Sequence, residues 1–364
     1  MSLVPKYIKN LSPYVPGKRI EEVQFNSDLK RIIKLSSNEN PHGPSLKAIN
    51  KVKKCMKNMN RYPDSSGYKL RTLLAKKNDL DIENVIIGCG SEGIMSTIIR
   101  TFLHEDDELI SSEDSFIGFR VLANASGRKV HWVKMNNYSY NLNSISEKIN
   151  NKTKIIYLAN PDNPTGTYFT KKDFDLFMNK VPTRVLVILD EAYYEYAKHI
   201  EDYPNSMLYR YDNVLTLRTF SKCYGLAGFR VGYGFAHKKL IANLMKVKLP
   251  FEPSIPAQIA ALEAIGDTEY LKYSLSENLN GIKYLLKEFN KLNLQTIPTV
   301  TNFITLIFEN ETTANQFLGK MLENGVILRG LESFGLPHCV RVTVGTMNEN
   351  KYFIKMLNNI IKNK

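Results

Sequence analysis

The strongest constraint on this chain is an alternation. Between residues 80 and 240 short apolar runs recur, separated by stretches whose apolar residues follow a helical period. The runs are Val85-Ile86-Ile87, Glu108-Leu109-Ile110, Val130-His131-Trp132-Val133, Ile155-Ile156-Tyr157-Leu158, Val185-Leu186-Val187-Ile188-Leu189, Val214-Leu215-Thr216-Leu217 and Val231-Gly232-Tyr233-Gly234-Phe235. Among the intervening stretches, Met95, Ile98, Ile99 and Phe102 share one helix face. Strands that are apolar throughout need cover on both faces. The pattern therefore predicts an α/β fold, a mostly parallel seven-stranded sheet with helices on both sides. In such sheets ligands bind beyond the carboxyl ends of the strands, so chemical residues belong in the loops that follow the runs.

The alternation stops at Leu249-Pro250-Phe251-Glu252-Pro253-Ser254-Ile255-Pro256, a candidate hinge. Beyond it lie a long helix-period region from Thr268 to Leu292, a strand-like run from Asn302 to Phe308, a helix near Thr313 to Glu323 and the strand Val340 to Val344, which suggest a smaller α+β domain. At the other end, residues 1–36 are punctuated by Pro13, Pro16 and Gly17 and read as an arm joining that small domain. The expected organisation is an arm at 1–36, a large α/β domain at 37–250 and a small domain at 251–364.

Composition narrows the function classes. No apolar run approaches the roughly 20 residues of a membrane span, and Met1 to Asn10 lacks a secretory apolar core, so a cytoplasmic protein is expected. Cys55, Cys89, Cys223 and Cys339 are far apart without a CxxC pair, which predicts free thiols. The six histidines are scattered, so no metal site is expected. A net charge of +13 admits a basic nucleic-acid-binding protein as an alternative class. However, the clusters Lys51-Val52-Lys53-Lys54 and Lys351 to Lys364 carry apolar residues at helical spacing, the pattern of solvated helix faces.

One strand-end segment supplies both an amine and an anion site: Leu217-Arg218-Thr219-Phe220-Ser221-Lys222-Cys223-Tyr224-Gly225-Leu226-Ala227-Gly228-Phe229-Arg230. A lysine that condenses with an aldehyde must be kept neutral by a partly desolvated setting, which the apolar run before Lys222 offers. Thr219 and Ser221 can donate to a phosphate, and Arg230 can reach the same anion with its planar fork. Lys222 alone would read as one solvated charge among many; the hydroxyl pair and the glycine-rich arginine segment argue otherwise. This run resembles the lysine motif of the fold-type I pyridoxal-phosphate aminotransferases. Over nearly its whole length the chain is similar to their histidinol-phosphate aminotransferase branch.

The other strand ends carry matching candidates. Gly88-Cys89-Gly90-Ser91-Glu92-Gly93 opens a helix whose N-terminus can hold a phosphate, with Gly90 and Ser91 as donors and Glu92 favouring the helix start. Asp190 ends the fully apolar run at Leu189 and needs a cation or several donors; a pyridinium nitrogen would serve, while a helix-capping acid is the plain alternative. Tyr193 could donate to the ring oxygen, and Ala192 is small enough to let a flat ring pack on it. The resemblance implies that Asn163, in Asn160-Pro161-Asp162-Asn163-Pro164-Thr165-Gly166, donates to the cofactor's phenolic oxygen. It also implies that Phe116 stacks on the ring, with Phe119 competing and core packing open to both. Tyr62 matches the family tyrosine that reaches the neighbouring subunit's cofactor phosphate, which implies a homodimer with shared active sites. Asn38 and Asn40, in Ser37-Asn38-Glu39-Asn40-Pro41, match the segment beside the substrate. Arg341 matches the arginine that binds substrate carboxylate, and Arg329 and Tyr14 complete the expected substrate set.

The implied catalytic residues are Lys222, Asp190 and Tyr193, the cofactor pyridoxal 5'-phosphate, and the reaction transamination of histidinol phosphate with 2-oxoglutarate in histidine biosynthesis. Aromatic amino-acid transamination and threonine-phosphate decarboxylation stay open as alternatives, because related enzymes use much the same scaffold.

Overall fold

In a computed structural model, residues 3–13, 17–25, 29–206 and 211–362 are described. Their strands run in chain order as β1 (Ile33–Lys34), β2 (Val85–Gly88), β3 (Glu108–Ser112), β4 (Lys129–Val133), β5 (Thr153–Ala159), β6 (Leu186–Asp190), β7 (Val214–Thr219), β8 (Gly232–Phe235), β9 (Gln295–Ile297), β10 (Phe303–Ile307), β11 (Val326–Ile327), β12 (Arg329–Gly330) and β13 (Cys339–Thr343). The seven apolar runs between residues 80 and 240 all become strands, β2 to β8.

They form one seven-stranded sheet in the order β2-β8-β7-β6-β5-β3-β4. Only β8 runs antiparallel to its neighbours, β2 and β7. Every other pairing is parallel. Both faces are covered, which explains the continuous apolar runs. On one side Ile94, Met95 and Ile98 of the Gly90–Phe102 helix pack with Ile86, Leu109, Ile155 and Ile188. On the other, Phe174, Phe177 and Met178 of the Lys171–Met178 helix pack with Ile110, Ile156, Val187 and Leu189. Burying each such side chain contributes at most about 1.5–3 kcal/mol, so the sheet ends are held by a stiff platform.

The remaining strands make a four-stranded antiparallel sheet, β12-β13-β10-β9, and a two-stranded parallel pair, β1-β11. Through β1, Ile33 and Leu35 enter an apolar cluster with Leu285, Phe289, Ile304, Phe317 and Phe353. This pairing supports a proposal that the arm completes the small domain. The arm also reaches the large domain, since a side chain on Gly127 would meet the ring of Tyr7.

Packing does not change at residue 250. The Ile255–Gly266 helix sets Ala257, Ala260, Ala261 and Ala264 in one cluster with Leu70, Leu74, Val85 and Phe220 of the large domain. We propose that the division falls near Asp267, which precedes the long Thr268–Lys291 helix.

Candidate active site

The ends of β2, β5, β6 and β7 point the same way, so the loops leaving them converge. They enclose a cavity of about 240 Å³ lined by residues that include Ser91, Glu92, Phe116, Asn163, Asp190, Ala192, Tyr193, Thr219, Ser221, Lys222 and Arg230. Strand order, rather than nearness in sequence, brings these together.

One end of the cavity is built for an anion. Gly90 has φ +75, a conformation that favours glycine, and it starts the Gly90–Phe102 helix. A Cβ on Gly90 would stand 2.8 Å from Arg230 Nη2, and one on Gly232 would run into the backbone nitrogen of Ser91. Side chains at these positions would fill the place where the guanidinium and the helix N-terminus approach each other. Arg230 Nη1 donates to the carbonyl of Ala227 at 3.1 Å and lies 3.5 Å from Ser221 Oγ. Thr219 Oγ1 lies 3.0 Å from Ser221 Oγ and accepts from the backbone N–H of Ser221 at 3.1 Å. Guanidinium, hydroxyls and helix N-terminus thus face one point, the donor set of a phosphate site.

Lys222 stands at the centre. Burial pushes its amine down from the ordinary 10.5 to about 8, and the Arg341 and Arg230 guanidinium groups push the same way. Its Nζ lies a long 3.5 Å from the carbonyl of Ser37 and 5.7 Å from the centre of the Tyr193 ring, so the amine is only loosely held.

Asp190, at the end of β6, is 4% exposed. Burial raises its carboxyl to about 6, against the pull of the Tyr157 hydroxyl and the backbone N–H of Ala192. Tyr157 donates to Oδ2 at 2.8 Å, while Oδ1 is buried without a hydrogen-bond partner among the described residues. An orphaned carboxylate oxygen facing a cavity calls for a cationic ligand atom. Together, the anion cradle, the amine held near neutrality and the free Asp190 oxygen fit pyridoxal phosphate.

Around these groups the loops are pinned. Asn163 Oδ1 accepts from Arg341 Nη1, which leaves the amide NH2 of Asn163 as its donor. Arg341 Nη2 donates to the carbonyl of Ser36 at 2.9 Å. Tyr193, pushed up to about 12 by burial, keeps its proton, and its hydroxyl accepts from Asn38 Nδ2 at 2.9 Å. Phe116 lines the cavity and its ring lies over Gly118. Phe119 instead stacks on Tyr157 at 4.0 Å between ring centroids, inside the core.

Some expected residues lie elsewhere. Asn40 points away from the cavity and ties the loop down, donating to the carbonyl of Cys223 and to Ser274 Oγ, both at 2.8 Å. Asn38 acts through Tyr193 and Thr343. The chain turns at Asn38, whose φ is +54, and Ser37 and Glu39 on either side of it are the ones that line the cavity. Arg329 pairs in register with Arg341, and both guanidinium groups sit within 5.7 Å of the Phe334 ring; neither is among the residues that line the cavity, though Arg341 reaches its wall through Asn163. Tyr62 is 79% exposed and stacks on Phe251 at 4.2 Å, outside the cavity of its own chain. Tyr14 lies outside the described residues.

Sequence reasoning missed two supports. Arg218 Nη2 and Glu191 Oε2 form a buried ion pair at 2.7 Å that ties the ends of β7 and β6 together. Burial works against the charge of Arg218, but Glu191 prevails and raises its pKa. Two acids in succession after an apolar run, Asp190-Glu191, were the available signal, because a second buried carboxylate needs a cation. The other is Asp162, which accepts from Ser115 Oγ at 2.7 Å and Thr165 Oγ1 at 2.9 Å and so fixes the loop that presents Asn163. Burial pushes its carboxyl up to about 7.

Residues 30–357 match the family model described as aminotransferase class I and II. Histidinol-phosphate aminotransferase of Desulfotalea psychrophila is 36% identical over 363 residues, covering 99% of this chain and 95% of the relative. The same-named protein of Moorella thermoacetica is 38% identical over 367 residues, covering 99% and 94%. Among solved structures, histidinol-phosphate aminotransferase from Sinorhizobium meliloti in complex with pyridoxal-5'-phosphate superposes with a TM-score of 0.90 at 24% identity, covering 100% of this chain and 98% of that one. This last likeness speaks to the fold.

Proposed function

This chain belongs to the class I and II aminotransferase family and is a pyridoxal-phosphate-dependent aminotransferase, and we propose that it moves the amino group of histidinol phosphate to 2-oxoglutarate. The observation that carries the substrate assignment is the full-length likeness, at 36% and 38% identity, to relatives named for that reaction. The reading places the enzyme in histidine biosynthesis and in the cytoplasm; among the described residues, no helix is long and apolar enough to cross a membrane.

When bound, the cofactor supplies an aldehyde that takes up the amino group and a ring that withdraws electrons from the reacting carbon. The chain does the rest. Lys222 Nζ, with a pKa near 8, is poised to take a proton from the substrate carbon and return one on the far side of the transfer. Asp190 Oδ1 would hold negative charge beside the ring nitrogen. Asn163 and Tyr193 would donate to the ring oxygen, Phe116 and Ala192 would hold the ring flat, and Arg230, Ser91, Thr219, Ser221 and the helix at Gly90 would anchor the phosphate. Glu92 favours the start of that helix. Arg341, supported by its neighbour Arg329, meets the substrate anion, a phosphate in one half-reaction and a carboxylate in the other.

A homodimer with shared sites belongs to the same reading. Tyr62 stands free of its own cavity at 79% exposure, with Tyr68, Leu249 and Phe251 also exposed nearby in sequence or space. Tyr62 is assigned to the partner's phosphate.

The test is a steady-state comparison of histidinol phosphate, phenylalanine, tyrosine and threonine phosphate, each with 2-oxoglutarate. Histidinol phosphate is expected to lead in kcat/KM by roughly tenfold or more, the scale of a difference of about 1.4 kcal/mol in transition-state binding. Equal or faster turnover of phenylalanine or tyrosine overturns the assignment, and carbon dioxide release from threonine phosphate points to decarboxylation.

A further inference from the structure

Tyr157 reads in the sequence as one more residue of an apolar strand. In the structure it is fully buried in β5, next to β6, with the register Tyr157 to Ile188 and Ala159 to Asp190. Its hydroxyl donates to Asp190 Oδ2 at 2.8 Å. Its ring stacks on Phe119 with centroids 4.0 Å apart and planes 7° from parallel, so the ring is held on a face that does not belong to the cavity. The two oxygens of Asp190 are therefore unequal. Among the described residues, Oδ2 is occupied from behind by Tyr157, whereas Oδ1 has no hydrogen-bond partner.

We propose that Tyr157 is a positioning residue that acts through Asp190: its hydroxyl holds Oδ2, fixes the plane of the carboxylate and leaves Oδ1 as the acceptor offered to the cofactor's ring nitrogen. The hydroxyl also favours the ionised form of a carboxyl that burial pushes towards protonation. A protonated Asp190 cannot hold a positive ring nitrogen. Phe119, behind the tyrosine, fixes the donor in turn. The inference rests on the assignment of Asp190 to the ring nitrogen, and the experiment separates the two.

Apoprotein is titrated with pyridoxal phosphate and with its carbocyclic analogue, in which C–H replaces the ring nitrogen, and dissociation constants are read by equilibrium dialysis without any assay of turnover. Wild type is expected to bind the natural cofactor more tightly than the analogue. Tyr157→Phe keeps the stacked ring and removes one hydrogen bond to a charged acceptor, which should weaken binding of the natural cofactor roughly tenfold and leave binding of the analogue unchanged. A merely structural tyrosine would weaken both ligands equally, and that result overturns the proposal, as does no loss for either. If wild type itself does not distinguish the ligands, the Asp190 assignment fails first and the proposal falls with it. Should Tyr157→Phe not fold, Phe119→Leu loosens the stack and keeps both hydrogen-bonding groups; it should reduce the same discrimination by a smaller factor, and equal weakening of both ligands again overturns the idea.

Discussion

Asp190 is arranged for its ligand at the expense of the cofactor-free protein, and the size of that expense can be worked from the structure. Burial raises its carboxyl from 3.8 to about 6, while an unfolded chain keeps the ordinary value. At about 1.4 kcal/mol per unit, the ionised side chain costs the folded apoprotein about 3 kcal/mol once the pH is well above the folded pKa. Between the two pKa values the folded state binds more protons than the unfolded one, so this contribution falls as pH rises from about 4 to about 6 and is constant above that window. Asp190→Asn removes the charge and keeps an oxygen for the Tyr157 hydroxyl, with the amide NH2 in place of the orphaned Oδ1. The variant apoprotein should therefore be more stable than wild type by about 3 kcal/mol at pH 8 and by roughly half of that at pH 5. Urea unfolding of both cofactor-free proteins at the two pH values measures the difference. A variant no more stable than wild type at pH 8, or a gain that does not shrink at pH 5, refutes the reasoning that burial of an unpaired oxygen strains this site.

Two other predictions concern the roles of single residues. Lys222→Ala leaves the phosphate cradle and Asp190 in place, so it should still hold the cofactor, but borohydride should no longer fix the cofactor to the chain and turnover should fall at least a thousandfold, roughly the scale of lost proton transfer; wild-type-like transamination in that variant removes Lys222 from the mechanism. Mixing Tyr62→Phe with Lys222→Ala subunits should create dimers with one intact site if Tyr62 serves its partner, as its exposed position suggests. Activity no greater than the sum of the two parents, after subunit exchange has been demonstrated, rules out that placement.

What the sequence discloses is set by the range of the interactions involved. The seven strands were legible because a strand covered on both faces is apolar along its length, a local property of runs such as Val185 to Leu189. Asp190 was legible for a related reason, since a polar residue at the end of such a run is conspicuous; Lys222 stood out through the hydroxyls and the arginine segment around it and Asn163 through the resemblance, and the strand ends deliver all three to one place. The loop at Ser37-Asn38-Glu39-Asn40 was legible as a loop but not in its facing. Asn38 takes a φ of +54, a turn that nothing in the local sequence announces, and contacts with Tyr193, Cys223 and Ser274 set which side chains face the cavity. The Ile255–Gly266 helix follows a proline-rich break, yet its alanines pack on the large domain, because small side chains allow close approach without declaring a partner.

Tyr157 shows where local reading stops. A tyrosine inside an apolar strand has the same appearance whether its hydroxyl meets a catalytic carboxylate or a backbone carbonyl. What makes the difference is strand order. With β5 beside β6 in the observed register, the hydroxyl comes within 2.8 Å of a carboxylate 33 residues away in sequence; beside another strand the same ring would be core. Strand order is fixed by the packing of the whole sheet, so the residues that carry chemistry can be found from their neighbours in sequence, whereas the residues that aim them become visible only when the strands have been laid side by side.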